Sequence, residues 1–373
     1  MTNRERILGV LRGKAVDRVP IWLLFPWDRT TYYTDVRNEP SFAPVVEAMT
    51  RIASVLNRRN FDIDVFSEDF RNAFPGKSFV SSLPRALSTQ EVTASGSSVL
   101  MAAGRFLDSV EDLETFLSLP VNDSAAGVAR LLETFLPAYF GERRSFPVEM
   151  GAMMLDLGEP VGVLYAAANL LEYPVWSLSH RVQIGVFLRR LQGHFLEKYR
   201  WCLERDLADI YFLVGSELAA PPMVGPEIFR EWVLPFQKEL IDLVHSYGKL
   251  VITHFHGRIR DRLEDFIGLA PDGLHTIEEP PIGDCPLADA LRIVDDRITL
   301  IGTVQYDEFL ALEPDAMRAE VRRILREANG RRFVLSPTAG PFHPRLNDRM
   351  RDNYLAFMDE GDRAGGYDAR HHA

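Results

Sequence analysis

The stretch Leu250-Val-Ile-Thr253, followed directly by His254-Phe-His-Gly257, decides the fold of this chain. A short apolar run that contains β-branched residues is typical of a strand buried on both faces. A helical pattern with Pro226 in its first turn and Gly248 past its end precedes the strand, and a second pattern over Arg260 to Ile267 follows it. A strand between two helices indicates a parallel sheet.

The same alternation extends along the whole chain and predicts eight strands. The other seven cover Val19 to Phe25, Ile63 to Phe66, Val148 to Leu155, Asp209 to Val214, Gly273 to Ile277, Ile298 to Ile301 and Phe333 to Ser336. We therefore predict an α/β fold of the (β/α)8 TIM barrel class, as a single domain over residues 1–360 with an N-terminal helical extension. The Ser- and Thr-rich segment Ser78 to Phe106 predicts a β-rich loop insertion, and residues 361–373 a flexible tail.

The composition excludes several classes of protein. The chain has 373 residues with 42 basic and 53 acidic side chains, and its net charge of −11 disfavours nucleic acid as a partner. No apolar stretch reaches the roughly 18 residues of a membrane-spanning helix. The charged start Met1 to Arg6 does not look like a secretory signal. The two cysteines, Cys202 and Cys285, form no disulfide framework, so we expect a cytoplasmic location.

Chemically competent side chains follow the predicted strands at the edge where TIM barrels carry their active sites. They are Ser67, Glu68, Asp69, Arg71, Asp156, Ser216, Glu217, His254, His256, Glu278, Glu279, Gln305, Thr338 and His343. Carboxylates and imidazoles that meet at one edge are the groups that a metal site or an acid–base site needs. No nucleophile elbow, Walker loop or dinucleotide fingerprint occurs, so nucleotide-dependent chemistry has no support.

Each of these residues also has a purely structural interpretation. His254 and His256 are two apart, so on a strand end both imidazoles face one side, although such a pair alone is a weak metal signal. A pair such as Glu278-Glu279 is more often a solvated strand end or a helix-capping pair than a functional site. His275 lies inside a strand and is read as a satisfied buried histidine.

Several motifs together resemble the uroporphyrinogen decarboxylase superfamily, which also contains cobalamin-dependent methyltransferases. They are Asn3-Arg-Glu-Arg6, Leu11-Arg-Gly13, Asp17-Arg-Val-Pro20, Ala208-Asp-Ile210, Gly215-Ser-Glu217, Pro226-Glu-Ile-Phe-Arg230, Gly248 to Gly257, Glu279-Pro-Pro281, Gly302-Thr-Val-Gln305 and Asn353-Tyr354. The resemblance covers nearly the whole chain and favours the methyltransferase-like branch. It is specific for the superfamily and not for one reaction.

The resemblance implies a zinc site, but this sequence has other residues at two of the ligand positions. In thiol methyltransferases of the family, a His-x-Cys segment and a later cysteine hold zinc, and here His256 and Ala339 stand at the two cysteine positions. A site of nitrogen and oxygen donors from His254, His256 and either Glu217 or Glu279 would still suit Zn²⁺. Of the two arginines that bind substrate carboxylates in the decarboxylases, the first position holds Phe25 and only Arg29 matches the second.

Methyl transfer is the first hypothesis. Zinc on His254 and His256 would activate a small methoxylated or methylamine-type substrate, and the methyl group would pass to a corrinoid (cobalamin) on a partner protein. The predicted catalytic residues are Glu217, Glu279 and Asp69, and the predicted substrate-binding residues are Arg29, Trp27, Arg71, Gln305 and His343. The family resemblance also implies a homodimer.

Two other functions stay open. A metal-independent decarboxylase or lyase would hold a carboxylated substrate with Arg29 or Arg71 and protonate the intermediate with Asp69 or Glu68. A binding protein that lost its chemistry is the third hypothesis, and the missing cysteines are its main support.

Overall fold

The computed structural model describes residues 1–30, 32–68, 70–74, 107–169 and 171–366. The predicted β-rich insertion at residues 78–106 and the candidate residue Asp69 lie outside these ranges.

The described residues form seven strands, which follow one another in a single sheet in the order β1 to β7. Their bounds are Val55–Asn60 (β1), Gly151–Asp156 (β2), Ile210–Leu213 (β3), Leu250–His254 (β4), Gly273–Ile277 (β5), Thr299–Val304 (β6) and Phe333–Pro337 (β7). This confirms the α/β class and a TIM-like sheet. Closure of the barrel and its organisation as a single domain stay predictions.

The α-helices of the described residues fill most of the connections between strands. They are Asn3–Leu11 (α1), Ala43–Ile52 (α2), Val110–Ser118 (α3), Ala125–Leu132 (α4), Leu136–Ser145 (α5), Pro160–Ala167 (α6), Tyr173–Ser179 (α7), Arg181–Glu204 (α8), Pro226–Trp232 (α9), Leu234–Ser246 (α10), Leu263–Leu269 (α11), Leu287–Val294 (α12), Glu308–Ala311 (α13), Pro314–Glu327 (α14) and Asp348–Ala364 (α15). Helix α1 is the predicted N-terminal helical extension. None of these helices has the length and apolar character needed to cross a membrane.

The chain divides into two units. The first contains residues 1–59, 142–154 and 250–373, and the second contains residues 60–141 and 155–249. In the first unit, β4 to β7 pair in parallel, with Ile252 opposite Gly273 and Gly302 opposite Leu335. Nearly all residues of these four strands are buried, as expected for parallel strands that carry helices on their faces.

The prediction of a strand from Val19 to Phe25 is wrong. Its residues make only isolated parallel bridges, from Ile21 to Leu335 in β7 and from Trp22 to Ser54 just before β1. Pro20 has no backbone N–H to donate, and Leu24 adopts a φ of 63°, so an extended ladder cannot continue through the segment.

Other boundaries also differ from the sequence predictions, since Val148–Met150 is a 3-10 helix before β2 and β6 continues to Val304. Residues Ile63 to Phe66 contain no strand, and the strand of that region is β1, which lies earlier in the chain. The single helix predicted from Pro226 to Tyr247 is split into α9 and α10, because Pro235 has no N–H for an intrahelical hydrogen bond. The predicted tail begins too early, since α15 continues to Ala364 and Gly366 bridges to Arg18.

Helix α15 packs against the bridging segment through a buried glycine. A Cβ atom on Gly361 would lie 2.8 Å from Cδ1 of Ile21 and 2.9 Å from Cδ2 of Leu335. Both neighbouring side chains are buried. The helix can therefore lie this close to β7 and to the bridging segment only because residue 361 has no side chain.

We expect Gly361→Ala to destabilise the protein by about 1 kcal/mol. Overpacking costs roughly 1–3 kcal/mol and outweighs the gain in helix propensity of about 1 kcal/mol. Gly268→Ala in α11 is the matched control, because a Cβ there meets nothing within 4 Å, and it should stabilise the protein slightly. Chemical denaturation of both variants checks the prediction, and a Gly361→Ala variant as stable as Gly268→Ala would contradict it.

Candidate functional site

Two histidines from neighbouring strands form the centre of the candidate site in the first unit. The parallel register places His254, the last residue of β4, directly opposite His275 of β5. Their rings therefore stack with centroids 4.8 Å apart and an interplanar angle of 13°. The two Nδ1 atoms lie 2.6 Å apart, which is a hydrogen-bond distance and requires one proton between them.

The contacts of His275 determine where that proton lies. Its Nε2 atom is 3.1 Å from the carbonyl oxygen of Pro337, and a carbonyl can only accept, so Nε2 carries a hydrogen. A neutral His275 then has a bare Nδ1, to which Nδ1–H of His254 donates. In this tautomer His254 presents the lone pair of its Nε2 as an acceptor.

Burial keeps both rings neutral. It lowers the pKa of His254 well below its ordinary value, and the neighbouring His256, His275 and Arg58 act in the same direction. Burial likewise lowers the pKa of His275 to about 3. The Arg58 guanidinium is itself buried and donates to the hydroxyl of Tyr33 at 2.8 Å.

A buried carboxylate orients the third histidine of the site. Glu278, directly after β5, accepts from the backbone N–H of Gly257 at 2.6 Å and lies 3.1 Å from Nδ1 of His256. Burial alone would raise the pKa of Glu278, but the hydrogen bonds and charge at His256 and the Gly257 N–H outweigh it, so the pKa is lowered. An ionised Glu278 accepts from Nδ1–H of His256, whose ring centroid is 4.6 Å from that of His254.

A tyrosine that follows β6 and a histidine that follows β7 form a pair. The hydroxyl of Tyr306 accepts from the N–H of Phe342 at 3.0 Å and of His343 at 3.3 Å, and it lies 2.8 Å from Nδ1 of His343. Burial raises the pKa of Tyr306 to about 12, so the hydroxyl keeps its proton and donates it to Nδ1. His343, whose pKa is lowered by burial, is then a donor at Nε2.

The structure places Glu278, and not the predicted Glu279, against the histidines. Glu279 accepts from the N–H of Leu287 at 2.8 Å, at the start of α12, and forms an ion pair with Arg323. These are the contacts of a helix cap, so the structural interpretation is the one that its contacts support. A catalytic role for Glu279 stays a prediction without support from these contacts.

The predicted substrate-binding residues take different positions in the first unit. Gln305 lies at the end of β6, where its Oε1 accepts from Thr338 at 3.1 Å and its buried Nε2 has no hydrogen-bond partner. Arg29 is exposed, and its carbonyl oxygen accepts from Arg59 at 2.7 Å. Trp27 is half-buried beneath the guanidinium of Arg37, which lies 4.0 Å from the ring centroid. Gln305 and His343 therefore follow strands β6 and β7 as predicted.

Glu217 and Arg71 belong to the second unit. The carboxylate of Glu217 accepts from the N–H of Gly215 at 3.0 Å, just after β3. Arg71 lies on a short 3-10 helix, Phe70–Ala73. Their roles as catalytic and substrate-binding residues stay predictions.

The described residues do not complete the predicted zinc site. A catalytic zinc ion takes three protein ligands. Among the described side chains, no group of three His, Cys, Asp or Glu residues is placed to hold a metal ion. His254 and His256 supply two imidazoles, whose ring centroids are 4.6 Å apart. Zinc binding stays a prediction, and no step below depends on it.

The neutral imidazole pair gives a direct pH prediction. We expect the ring signals of His254 and His275 in nitrogen NMR to stay those of neutral imidazoles from pH 8 down to pH 5, because burial opposes protonation. The spectrum should show His254 protonated at Nδ1 and His275 at Nε2. His254→Gln and His275→Gln assign the signals, and a midpoint above pH 5 for either ring would contradict the prediction.

Comparisons with known proteins show what this chain is similar to. Residues 207–346 match the family model described as uroporphyrinogen decarboxylase (URO-D). The methylcobamide:CoM methyltransferase MtaA of Methanosarcina barkeri is 24% identical over 368 residues, which cover 95% of this chain and 99% of that protein. The protein of the same name from the Fusaro strain is 24% identical over 241 residues, 59% of this chain and 68% of its own length.

A solved structure supports the fold. The methyltransferase from Methanosarcina mazei superposes with a TM-score of 0.58 at 17% sequence identity, covering 96% of this chain and 99% of that chain. The resemblance predicted from the sequence motifs is confirmed: residues 207–346 carry the uroporphyrinogen decarboxylase match, and the curated proteins that the chain resembles are methyltransferases of the methyltransferase-like branch.

Proposed function

We propose that this protein is a corrinoid-linked methyltransferase. The observation that carries the proposal is its similarity to methylcobamide:CoM methyltransferases over 95% of the chain. Their name puts methylcobamide on the donor side. A reversible transfer uses one site in both directions, so the same similarity supports methyl transfer from a small methoxylated or methylamine-type substrate to a corrinoid on a partner protein.

The imidazoles would hold the reacting heteroatom of the substrate. The Nε2 lone pair of His254 would accept a hydrogen bond from the N–H of a methylamine-type substrate, and the Nε2–H of His343 would donate one to the ether oxygen of a methoxylated substrate. A donor aimed at the heteroatom stabilises the negative charge that develops there as the methyl group leaves. Glu278 and Tyr306 keep His256 and His343 oriented while this happens.

The methyl-transfer assay uses cob(I)alamin with methoxylated aromatic compounds and methylamines, and follows formation of the cobalt–carbon bond by absorbance. We expect transfer by the wild-type protein and a loss of about 10²-fold or more in His343→Ala, since the variant loses the Nε2–H donor. His245→Ala is the matched control, because His245 is exposed on α10. No transfer by the wild type in either direction, with methylcobalamin as the reverse substrate, would overturn the proposal.

Zinc is tested separately from activity. If His254 and His256 hold the metal, mass spectrometry should find near-stoichiometric zinc in the untagged wild type and little in the His254→Ala/His256→Ala variant. If neither protein contains zinc after zinc is supplied, the metal-assisted form of the reaction is contradicted. The methyl-transfer assay would then still decide the function itself.

The decarboxylase or lyase alternative keeps one supporting observation. Arg58 is a buried cation close enough to His254 and His275 to lower the pKa of both, and a cation so placed suits a carboxylated substrate. Release of carbon dioxide from such a substrate without any corrinoid would favour this alternative.

A further inference from the structure

A stripe of exposed aliphatic side chains runs along helices α7 and α8 of the second unit. Its members recur every three or four residues, so they share one face of the helices. Each is between 55% and 77% exposed, and they are Leu171, Val175, Leu178, Val182 and Val186. A monomeric protein rarely leaves a contiguous apolar patch of this kind in water, so the stripe indicates a surface that another molecule covers.

Helices α7 and α8 present the stripe as one nearly continuous element. His180, between the two helices, has a φ of −121°, but its N–H still donates to the carbonyl oxygen of Trp176 at 2.9 Å. The N–H of Ile184 in turn donates to the carbonyl oxygen of His180 at 2.9 Å, so the helical hydrogen-bond pattern continues through the junction. Ile184, Phe187 and Leu191 lie on the opposite face of α8 and are buried in the second unit. The stripe therefore has no protein core left to face.

Opposite charges flank the two ends of the stripe. Glu172 lies beside its first turn and Arg190 beside its last, about five helical turns further on, so both are on the same side of the stripe. Arg190 is exposed and donates to the backbone carbonyl oxygens of Leu117 and Leu119. Among the described residues, neither Glu172 nor Arg190 has an ion-pair partner. Each end of the stripe is therefore able to attract a charge of the other sign.

The aliphatic residues of the stripe match their own reverse order. When a second copy is turned end for end about a point near His180, Leu178 of each copy lies across from Val182 of the other. Val175 of each copy then lies across from Val186 of the other. An isologous contact has this property, because the same patch is used on both subunits and residue i meets residue j twice.

The flanking charges favour the same orientation. The rotation that pairs the aliphatic residues brings Glu172 of each copy next to Arg190 of the other, so an ion pair forms at each end. A parallel pair would instead place each charged residue across from its equal, including Arg189, which continues the stripe after Val186. Like charges that face each other across an interface disfavour it. The stripe thus complements itself in the antiparallel orientation.

We propose that two copies of this chain associate through the stripe, with their α7 and α8 helices antiparallel across a two-fold axis near His180. All the residues involved belong to the second unit, and the inference does not depend on the proposed function. At a rise of 1.5 Å per residue the stripe is roughly 24 Å long and one helix wide, which is less than the roughly 800 Å² per partner of a standard interface. The dimer is therefore expected to be in equilibrium with the monomer.

Sedimentation velocity of the full chain tests the association. The mass should rise with concentration from the 42.3 kDa of one chain toward twice that value, over a range of about 1–500 µM. Leu178→Glu and Val182→Glu each place an unpaired charge at the centre of the contact and should raise the dissociation constant by about 10²-fold or more. Both side chains are exposed in the single chain, so each variant should fold with the circular dichroism spectrum of the wild type.

Val148→Glu is the matched control, because Val148 is an exposed valine of the first unit and lies outside the stripe. It should dimerise as the wild type does. A wild type that stays monomeric over the whole range overturns the proposal and leaves the stripe to a different protein. A Val182→Glu variant that dimerises as well as Val148→Glu also overturns it, because the dimer would then use another surface.

Disulfide trapping tests the orientation. In the antiparallel pair, Val175→Cys/Val186→Cys sets the two introduced thiols of opposite copies across from each other, and mild oxidation should give a covalent dimer. In either single variant the two thiols are roughly 16 Å apart along the helices, whereas a disulfide needs Cα atoms within about 7 Å. The native Cys202 and Cys285 are buried and do not compete. Equal crosslinking of Val175→Cys alone would overturn the antiparallel arrangement.

Discussion

The hydrogen bond from Nε2 of His275 to the carbonyl oxygen of Pro337 is the constraint on which the first-unit site depends. It links the middle of β5 to the end of β7, and it fixes the tautomer of a ring that burial keeps neutral. The stacked His254 must then donate through Nδ1, so its remaining nitrogen is an acceptor. The tautomers of the two imidazoles, and so their roles as hydrogen-bond donor or acceptor, therefore follow from strand register and burial before any substrate is bound.

The second half of the fold could be predicted from sequence because its strands are short apolar runs between helical patterns. The prediction failed where a strand carries polar residues or where an apolar segment does not stay extended. Strand β1, Val55–Asn60, contains Asn57-Arg58-Arg59, and Asn57 and Arg58 are buried. Polar side chains on an inward-facing strand break the hydrophobic pattern, and this is expected where a site is built. The segment Val19 to Phe25 has the apolar composition of a strand, but its backbone does not stay extended.

The sequence predicted which residues lie at the candidate site better than it predicted the contacts that they make. The edge that carries His254, His256, Gln305 and His343 follows from the strand pattern. The choice between Glu278 and Glu279 does not, because it depends on which carboxylate faces Gly257 and which faces α12 and Arg323. Glu159 was not singled out, although it and Asp156 are the two acidic residues of the otherwise apolar stretch Leu155 to Leu164. Only the tertiary structure shows that the amide of Gln237 donates to its buried carboxyl group.

The burial of both cysteines has a consequence for the chemical reactivity of the protein. Cys202 and Cys285 are fully buried, and burial raises the pKa of each thiol to about 12, so almost no thiolate is present at neutral pH. Alkylating agents and peroxides react with the thiolate, and they therefore have no target among these two side chains while the chain is folded. The extent of thiol modification therefore measures the fraction of molecules that are unfolded.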